Sequence, residues 1–184
     1  MENKENKTKL YMQIFLSGMV IVSLVTAWIM AKNLNQDESK ERFKLTTDYK
    51  RIKKEDYQFN AEKGQQLYNA LCLKCHGVAG MGNVQNPPLN SSLIVRNAPK
   101  EMLKIIVKGL RGEISRNGKK YNSVMPSFKA IGNHDLAHIS NYIRIVINNN
   151  PSAEVIHPVE VVKTKIDTLT IKRALTPKDL KQEN

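Results

Sequence analysis

Twenty-two consecutive residues, Leu10 to Ala31, carry no charge, and Lys9 and Lys32 bound them. A helix of that length spans about 30 Å at 1.5 Å per residue, which is the hydrocarbon thickness of a bilayer. Tyr11 and Trp28 fall near its two ends, where amphipathic rings prefer the interface, and the flanking lysines can extend outward. The stretch reads as one transmembrane helix. The competing reading is a cleaved secretory signal, whose apolar region is usually about 7–15 residues and ends in a small-x-small site. Here the run is longer and ends Trp28-Ile29-Met30-Ala31, so an uncleaved signal anchor is expected. Lys4, Lys7 and Lys9 precede the helix while Lys32, Lys40, Arg42 and Lys44 follow it, so charge alone leaves its orientation open.

The remainder is polar and basic. Residues 32–58 mix both signs of charge with few aliphatics and read as a tether or exposed helix. The net charge of +12 is concentrated further on: residues 59–150 hold 12 basic and 4 acidic side chains. A surplus of that kind attracts nucleic acid, anionic membrane or an acidic protein patch. No aromatics interleave with the basic residues and no nucleic-acid motif is present, so nucleic acid is not an expected partner.

Helical periodicity is clearest in three places. Asn60 is positioned to cap a helix over residues 61–71, with Leu67, Tyr68 and Leu71 on one face. Pro99 suits the first turn of a helix through Lys108, stopped by Gly109, with Met102, Leu103, Ile106 and Val107 on its apolar face. Asn133 is the expected N-cap of a last helix, in which Leu136, Ile139, Tyr142, Ile143 and Val146 recur. Residues 77–92 and 110–132 read as loops, and the closing ALTPKDLKQEN reads as a disordered end or partner-binding tail.

The first of these helices ends in Cys72-Leu73-Lys74-Cys75-His76, the C-x-x-C-H spacing of covalent haem attachment. Two thiols can add to two vinyl groups while the adjacent imidazole lies beneath the iron. A structural zinc site would want four N/S ligands at short spacing, which His134, His138 and His157 do not supply. A thioredoxin-like dithiol wants a strand-to-helix context, whereas these cysteines end an amphipathic helix. His134 and His138 are four apart, a spacing open to metal, but surface or capping roles are expected of them.

Residues 59–150 resemble class I cytochromes c, on Gly64 and Tyr68 in the first helix, CLKCH at its end, Asn86-Pro87-Pro88-Leu89, Met125-Pro126-Ser127-Phe128 and Tyr142. The resemblance implies an all-α fold, here a class I cytochrome c fold preceded by one N-terminal transmembrane helix. The corresponding division is a cytoplasmic N-terminus (1–9), the transmembrane helix (10–31), a charged tether (32–58), the cytochrome domain (59–150) and a C-terminal extension (151–184). Also implied are a close approach of Gly64 to Tyr142 and a Pro87 carbonyl accepting from the His76 ring. Leu89 would pack on the haem. Met125 is the implied sixth ligand of the iron, with a histidine or an open site as the alternatives.

One covalently bound haem c with His76 and Met125 as axial ligands leaves no position for a substrate. The expected activity is therefore electron transfer by a carrier, not an enzyme, and no small-molecule substrate is expected. Because the family attaches haem outside the cytoplasm in bacteria, the resemblance puts the domain on the periplasmic side of the inner membrane. The expected partners are the membrane and redox proteins with an acidic docking surface. An alternative role is the cytochrome c subunit of a respiratory membrane complex, of the terminal oxidase or nitric oxide reductase type.

Overall fold

The structure is a computed structural model that describes residues 2–53, 56–116 and 118–180. The chain divides into two compact units, residues 1–44 and 45–184. The described residues of the first, 2–44, are all helical and belong to α1 (Glu2–Ile52), and from Leu10 to Ala31 every side chain is exposed. It is long and apolar enough to cross a membrane. Two of its hydroxyls bond back onto the helix: Ser17 donates to the Ile14 carbonyl and Thr26 to the Ser23 carbonyl, each at 2.9 Å. Such back-bonding satisfies a polar side chain within an apolar surface. Lys32 places its ammonium 5.3 Å from the Trp28 ring centroid.

The second unit is mostly helical, with its core between α2 (Ala61–Leu71), α5 (Pro99–Lys108), α6 (Asn133–Asn141) and α7 (Pro158–Asp167). Asn60 caps α2 by accepting from the Lys63 N–H at 2.8 Å. Pro99 opens α5 and Gly109, at φ 75°, closes it; Met102, Leu103, Ile106 and Val107 are all buried along one face. Short helices α3 (Leu73–His76) and α4 (Leu93–Asn97) and a two-stranded hairpin complete the unit.

α2 crosses α6 at Gly64. A Cβ there would sit 2.7 Å from both the His138 carbonyl oxygen and the Tyr142 Cβ, so the missing side chain sets how closely the two helices approach. One turn further on, Tyr68 is 1% exposed, its ring centroid lies 5.6 Å from that of Tyr142, and its hydroxyl donates to the Gly77 carbonyl at 2.7 Å.

Four sequence expectations are corrected. The compact unit begins at Leu45, not after residue 58, because Leu45 and Ile52 from the end of α1 are buried with Val162 and Leu169. The closing ALTPKDLKQEN is not a disordered end over residues 174–180, where Leu175 is 1% exposed and pairs with Leu110; ahead of it α7 buries Val161 and Val162. Residues 181–184, the rest of that expected tail, lie outside the described residues. Asn133 is the first residue of α6 rather than its cap, which is Gly132, and the helix runs on into a π-helical turn, Tyr142–Ile147. Finally, the segment read as loop after Gly109 contains β1 (Ile114–Arg116) paired antiparallel with β2 (Lys119–Tyr121).

Gly64→Val tests the helix crossing. The substitution is close to neutral for intrinsic helix propensity, whereas overpacking a dense contact costs about 1–3 kcal/mol. The expected result is a lowered denaturant midpoint for the full chain in detergent. An unchanged midpoint would show that α2 and α6 can separate without cost.

Candidate functional site

The site is built where α2 ends. The Cys72 N–H still donates to the Tyr68 carbonyl at 2.8 Å, and the single turn of α3 is then closed by the Cys75 and His76 N–H groups on the Cys72 carbonyl, at 3.1 and 2.9 Å. Cys72 is half-buried and Cys75 exposed, and the two thiols are not joined. Burial pushes the Cys72 thiol up to about 11, with Cys75 adding to the effect, so it is protonated at neutral pH.

His76 is 9% exposed, and its Nδ1 lies 3.0 Å from the Pro87 carbonyl oxygen. A carbonyl only accepts, so Nδ1 carries the proton and Nε2 keeps its lone pair. Burial holds the His76 pKa below the ordinary histidine value, and the Pro87 bond only partly opposes this. The ring is thus a neutral imidazole with a fixed tautomer, the form in which histidine binds a metal.

The loop that brings Pro87 to His76 depends on local backbone chemistry. Asn83 Oδ1 accepts from the Gln85 and Asn86 N–H groups at 2.9 and 2.8 Å, folding the turn, and Asn83 Nδ2 donates to the Cys75 carbonyl at 3.1 Å. Gly82, at φ 71°, donates its N–H to the His76 carbonyl at 2.7 Å; a Cβ there would come within 2.6 Å of the Pro88 nitrogen. Leu89, two residues beyond Pro87, bonds through its N–H to the Gly80 carbonyl at 2.7 Å.

Met125 approaches from the other part of the chain. Its backbone N–H and carbonyl pair with Leu110 at 2.9 and 3.1 Å. On the opposite edge Leu110 pairs in parallel with Leu175, through Leu175 N–H to the Gly109 carbonyl (3.0 Å) and Arg111 N–H to the Leu175 carbonyl (2.8 Å). Gly109 is required where it stands, because its missing Cβ would overlap the Met125 carbonyl oxygen. Ser127 Oγ donates to the Val107 carbonyl at 2.6 Å and Phe128 N–H to the Ile106 carbonyl at 3.0 Å, which laces the Met-Pro-Ser-Phe segment to the end of α5.

Cys72, His76, Pro87, Leu89 and Met125 all line one cavity of about 190 Å³, walled otherwise by apolar side chains including Ile106, Phe128, Leu136 and Ile143. Cys75 lines an adjoining cavity of about 90 Å³ shared with Cys72, His76, Pro87 and Met125. Every sequence-predicted site residue is therefore brought to one place. This donor set suits haem c: two thiols, a neutral imidazole nitrogen and a thioether around an apolar space. Met102 also lines the larger cavity, from the buried face of α5, but not the smaller one beside Cys75. Met81 is 69% exposed.

The other histidines do something different. His138 Nδ1 accepts from the Asn60 N–H at 3.3 Å and from the Tyr57 hydroxyl at 3.0 Å, while the rings of His134 and His157 lie 6.2 and 5.6 Å from that of Tyr57. Burial, the largest influence, keeps the His138 pKa below its ordinary value. Among the described residues no group of His, Cys, Asp and Glu could hold a metal ion by itself. Sequence reasoning missed Leu110, Leu175 and Leu180; the first two act through their backbone, and Leu180 lines the cavity from a segment read as a tail.

The cytochrome c family profile matches residues 61–146. Cytochrome c-552 of Thermus thermophilus is 28% identical over 120 residues, covering 61% of this chain and 91% of that protein. Cytochrome c6 of Cyanidium caldarium is 30% identical over 89 residues, covering 47% of this chain and 72% of that protein. Both matches and the cavity's donor set converge: the chain belongs to the cytochrome c family, and haem c, covalently bound, is its cofactor.

Proposed function

We propose that the protein is a membrane-anchored electron carrier whose Cys72 and Cys75 bond the haem and whose His76 and Met125 are the axial ligands of its iron. The observation that carries this reading is the convergence of a tautomer-fixed His76 and the Met125 segment on one apolar cavity. When bound, the haem iron supplies a one-electron ferric/ferrous couple. Each cysteine forms a thioether by addition of its S–H across a vinyl group, so no oxidant is consumed. Pro87 holds the His76 ring and raises its basicity. The Met125 thioether favours the reduced iron and raises the potential, while Leu89 and the aliphatic wall keep water from the metal.

The long apolar stretch of α1 supports anchoring in a membrane. Bacterial haem attachment outside the cytoplasm supports placing the haem domain on the periplasmic face of the inner membrane. With His76 and Met125 both holding the iron, the haem would exchange electrons with partner proteins and leave no position for a substrate. Lys74 and Lys129 are exposed, one beside the exposed Cys75 and the other just past Phe128, and a partner's acidic surface would meet them there.

Replacing both Cys72 and Cys75 with Ser abolishes stable covalent haem. Haem-stained denaturing electrophoresis reads this, and a variant still carrying haem would show that the bond is elsewhere. Met125→Ala leaves haem attached, lowers the potential and admits carbon monoxide or cyanide; a retained ferric Met–iron absorption band would identify another sixth ligand. Electron transfer to an acidic partner should slow as salt screens charge beyond about 8 Å at physiological ionic strength. The paired Lys74→Glu, Lys129→Glu substitution should reduce both the rate and its salt dependence. A flat wild-type salt profile would eliminate electrostatic steering.

A further inference from the structure

Among the described residues that line the larger cavity, one is charged: Arg116, the last residue of β1. Two arms of its guanidinium are fixed by protein. Nη1 lies 3.4 Å from Ser92 Oγ, and Nη2 donates to the Ser91 carbonyl at 2.5 Å. The third donor, Nε, is buried and has no acceptor among the described residues. Guanidinium is charged at every accessible pH, so it cannot escape burial by losing its proton.

The support beneath this arginine is rigid. Ser92 is 8% exposed and its N–H donates to Asn148 Oδ1 at 3.2 Å. Asn148, 2% exposed, gives its amide hydrogens to the Leu89 and Ile143 carbonyls at 3.0 and 2.9 Å. Its carbonyl accepts from Arg96 of α4 at 3.3 Å. The chain thus holds one cation, with one donor unanswered, at the wall of an otherwise apolar space. A buried donor without an acceptor is strongly unfavourable, so this end of the site selects an anion.

Haem c brings two carboxylates on its periphery, and among the described residues lining the cavity Arg116 is their one cationic partner. We propose that Arg116, oriented by Ser91 and Ser92, binds one haem propionate through Nε. The proposal rests on haem c occupying the cavity between His76 and Met125. Its consequence is electrostatic. The guanidinium keeps that propionate ionised, and its positive charge favours the ferrous iron. Among the described residues the other ionisable side chains lining the cavity are Cys72 and His76, which in the haem-bound protein would be a thioether and an iron ligand and so would not titrate, and across the hairpin Arg116 stands in register with Lys119.

The test is the midpoint potential of the purified full-length holoprotein in detergent, measured against pH for wild type, Arg116→Gln and Arg116→Lys. Haem content by pyridine haemochrome is measured first on each. Wild type without covalent haem would sink the cofactor reading itself, separately from this proposal. In Arg116→Gln the midpoint should fall at alkaline pH, and the redox-linked ionisation should move up by about 1–3 pH units, the shift expected when a carboxylate loses an adjacent cation. Arg116→Lys keeps the charge and should restore most of the wild-type curve. A purely structural cross-link to Ser91 and Ser92 would lower stability but leave the curve in place. A haem-loaded Arg116→Gln protein whose curve overlays wild type overturns the proposal. If that variant does not retain haem, Arg116→Lys decides: a wild-type curve supports the pairing, and an upward-shifted ionisation overturns it.

Discussion

The imidazole of His76 is held at both ends, and much of the domain follows from holding it. Its backbone end is fixed by the turn that continues α2 past Cys72, and its ring end by the Pro87 carbonyl 3.0 Å away. Only a chain that doubles back within 11 residues can deliver that carbonyl to that ring. This is why the intervening segment is irregular, with Gly77, Gly80 and Gly82 all at positive φ, where a side chain would be strained or would collide with the returning strand. The turn of α3 is in turn only as firmly placed as α2, and α2 is placed by the close crossing at Gly64.

Features driven by side-chain pattern were legible in the sequence. The α2 cap at Asn60, the Pro99 start and Gly109 stop of α5, and the three-point spacing of Cys72, Cys75 and His76 each consist of neighbouring residues whose chemistry is local. Three kinds of feature were not. Leu45 and Ile52 are spaced as an apolar helix face, but they are embedded in a run of charges that conceals it. The pairing of Leu110 with both Met125 and Leu175 is made by backbone groups, which every residue type carries equally. Arg116 carries no mark in the sequence, since nothing in its neighbours shows that the hairpin brings it to the cavity wall.

The polar groups inside the domain form a second level of organisation beneath the apolar core. Asn141 and Asn148, both in or just beyond the α6 helical run, use their amides to fasten separate loops: Asn141 donates to the Ile156 carbonyl and accepts from the Ile156 N–H, each at 2.8 Å, while Asn148 gathers Leu89, Ile143 and Ser92. Buried amides earn their place only when satisfied on both sides, as these are. Apolar burial determines which faces meet, and these bonds determine where the loops lie once they have met. The His76 loop and the Arg116 platform therefore share one anchor, Asn148, although they approach the cavity from different parts of the sequence.

The C-terminal segment completes this arrangement on the Met125 side. A single bridge between Leu110 and Met125 would be a frail support, since two isolated residue pairs in water compete poorly with solvent for their hydrogen bonds. Leu175 changes the situation by occupying the other edge of Leu110 and burying its own side chain, so that both sets of bonds are shielded. Arg173 and Asp179 close the strap that carries it, with both guanidinium nitrogens on the carboxylate at 2.6 and 2.8 Å. That surface pair is worth little by itself, being exposed and screened. Its effect is to restrict the chain either side of Leu175, and hence the backbone that positions the proposed methionine ligand. The segment through Leu175 and Leu180 is thus part of the site together with the motif at residues 72–76: Leu175 reaches it through main-chain bonds, and Leu180 adds an apolar side chain to the cavity wall.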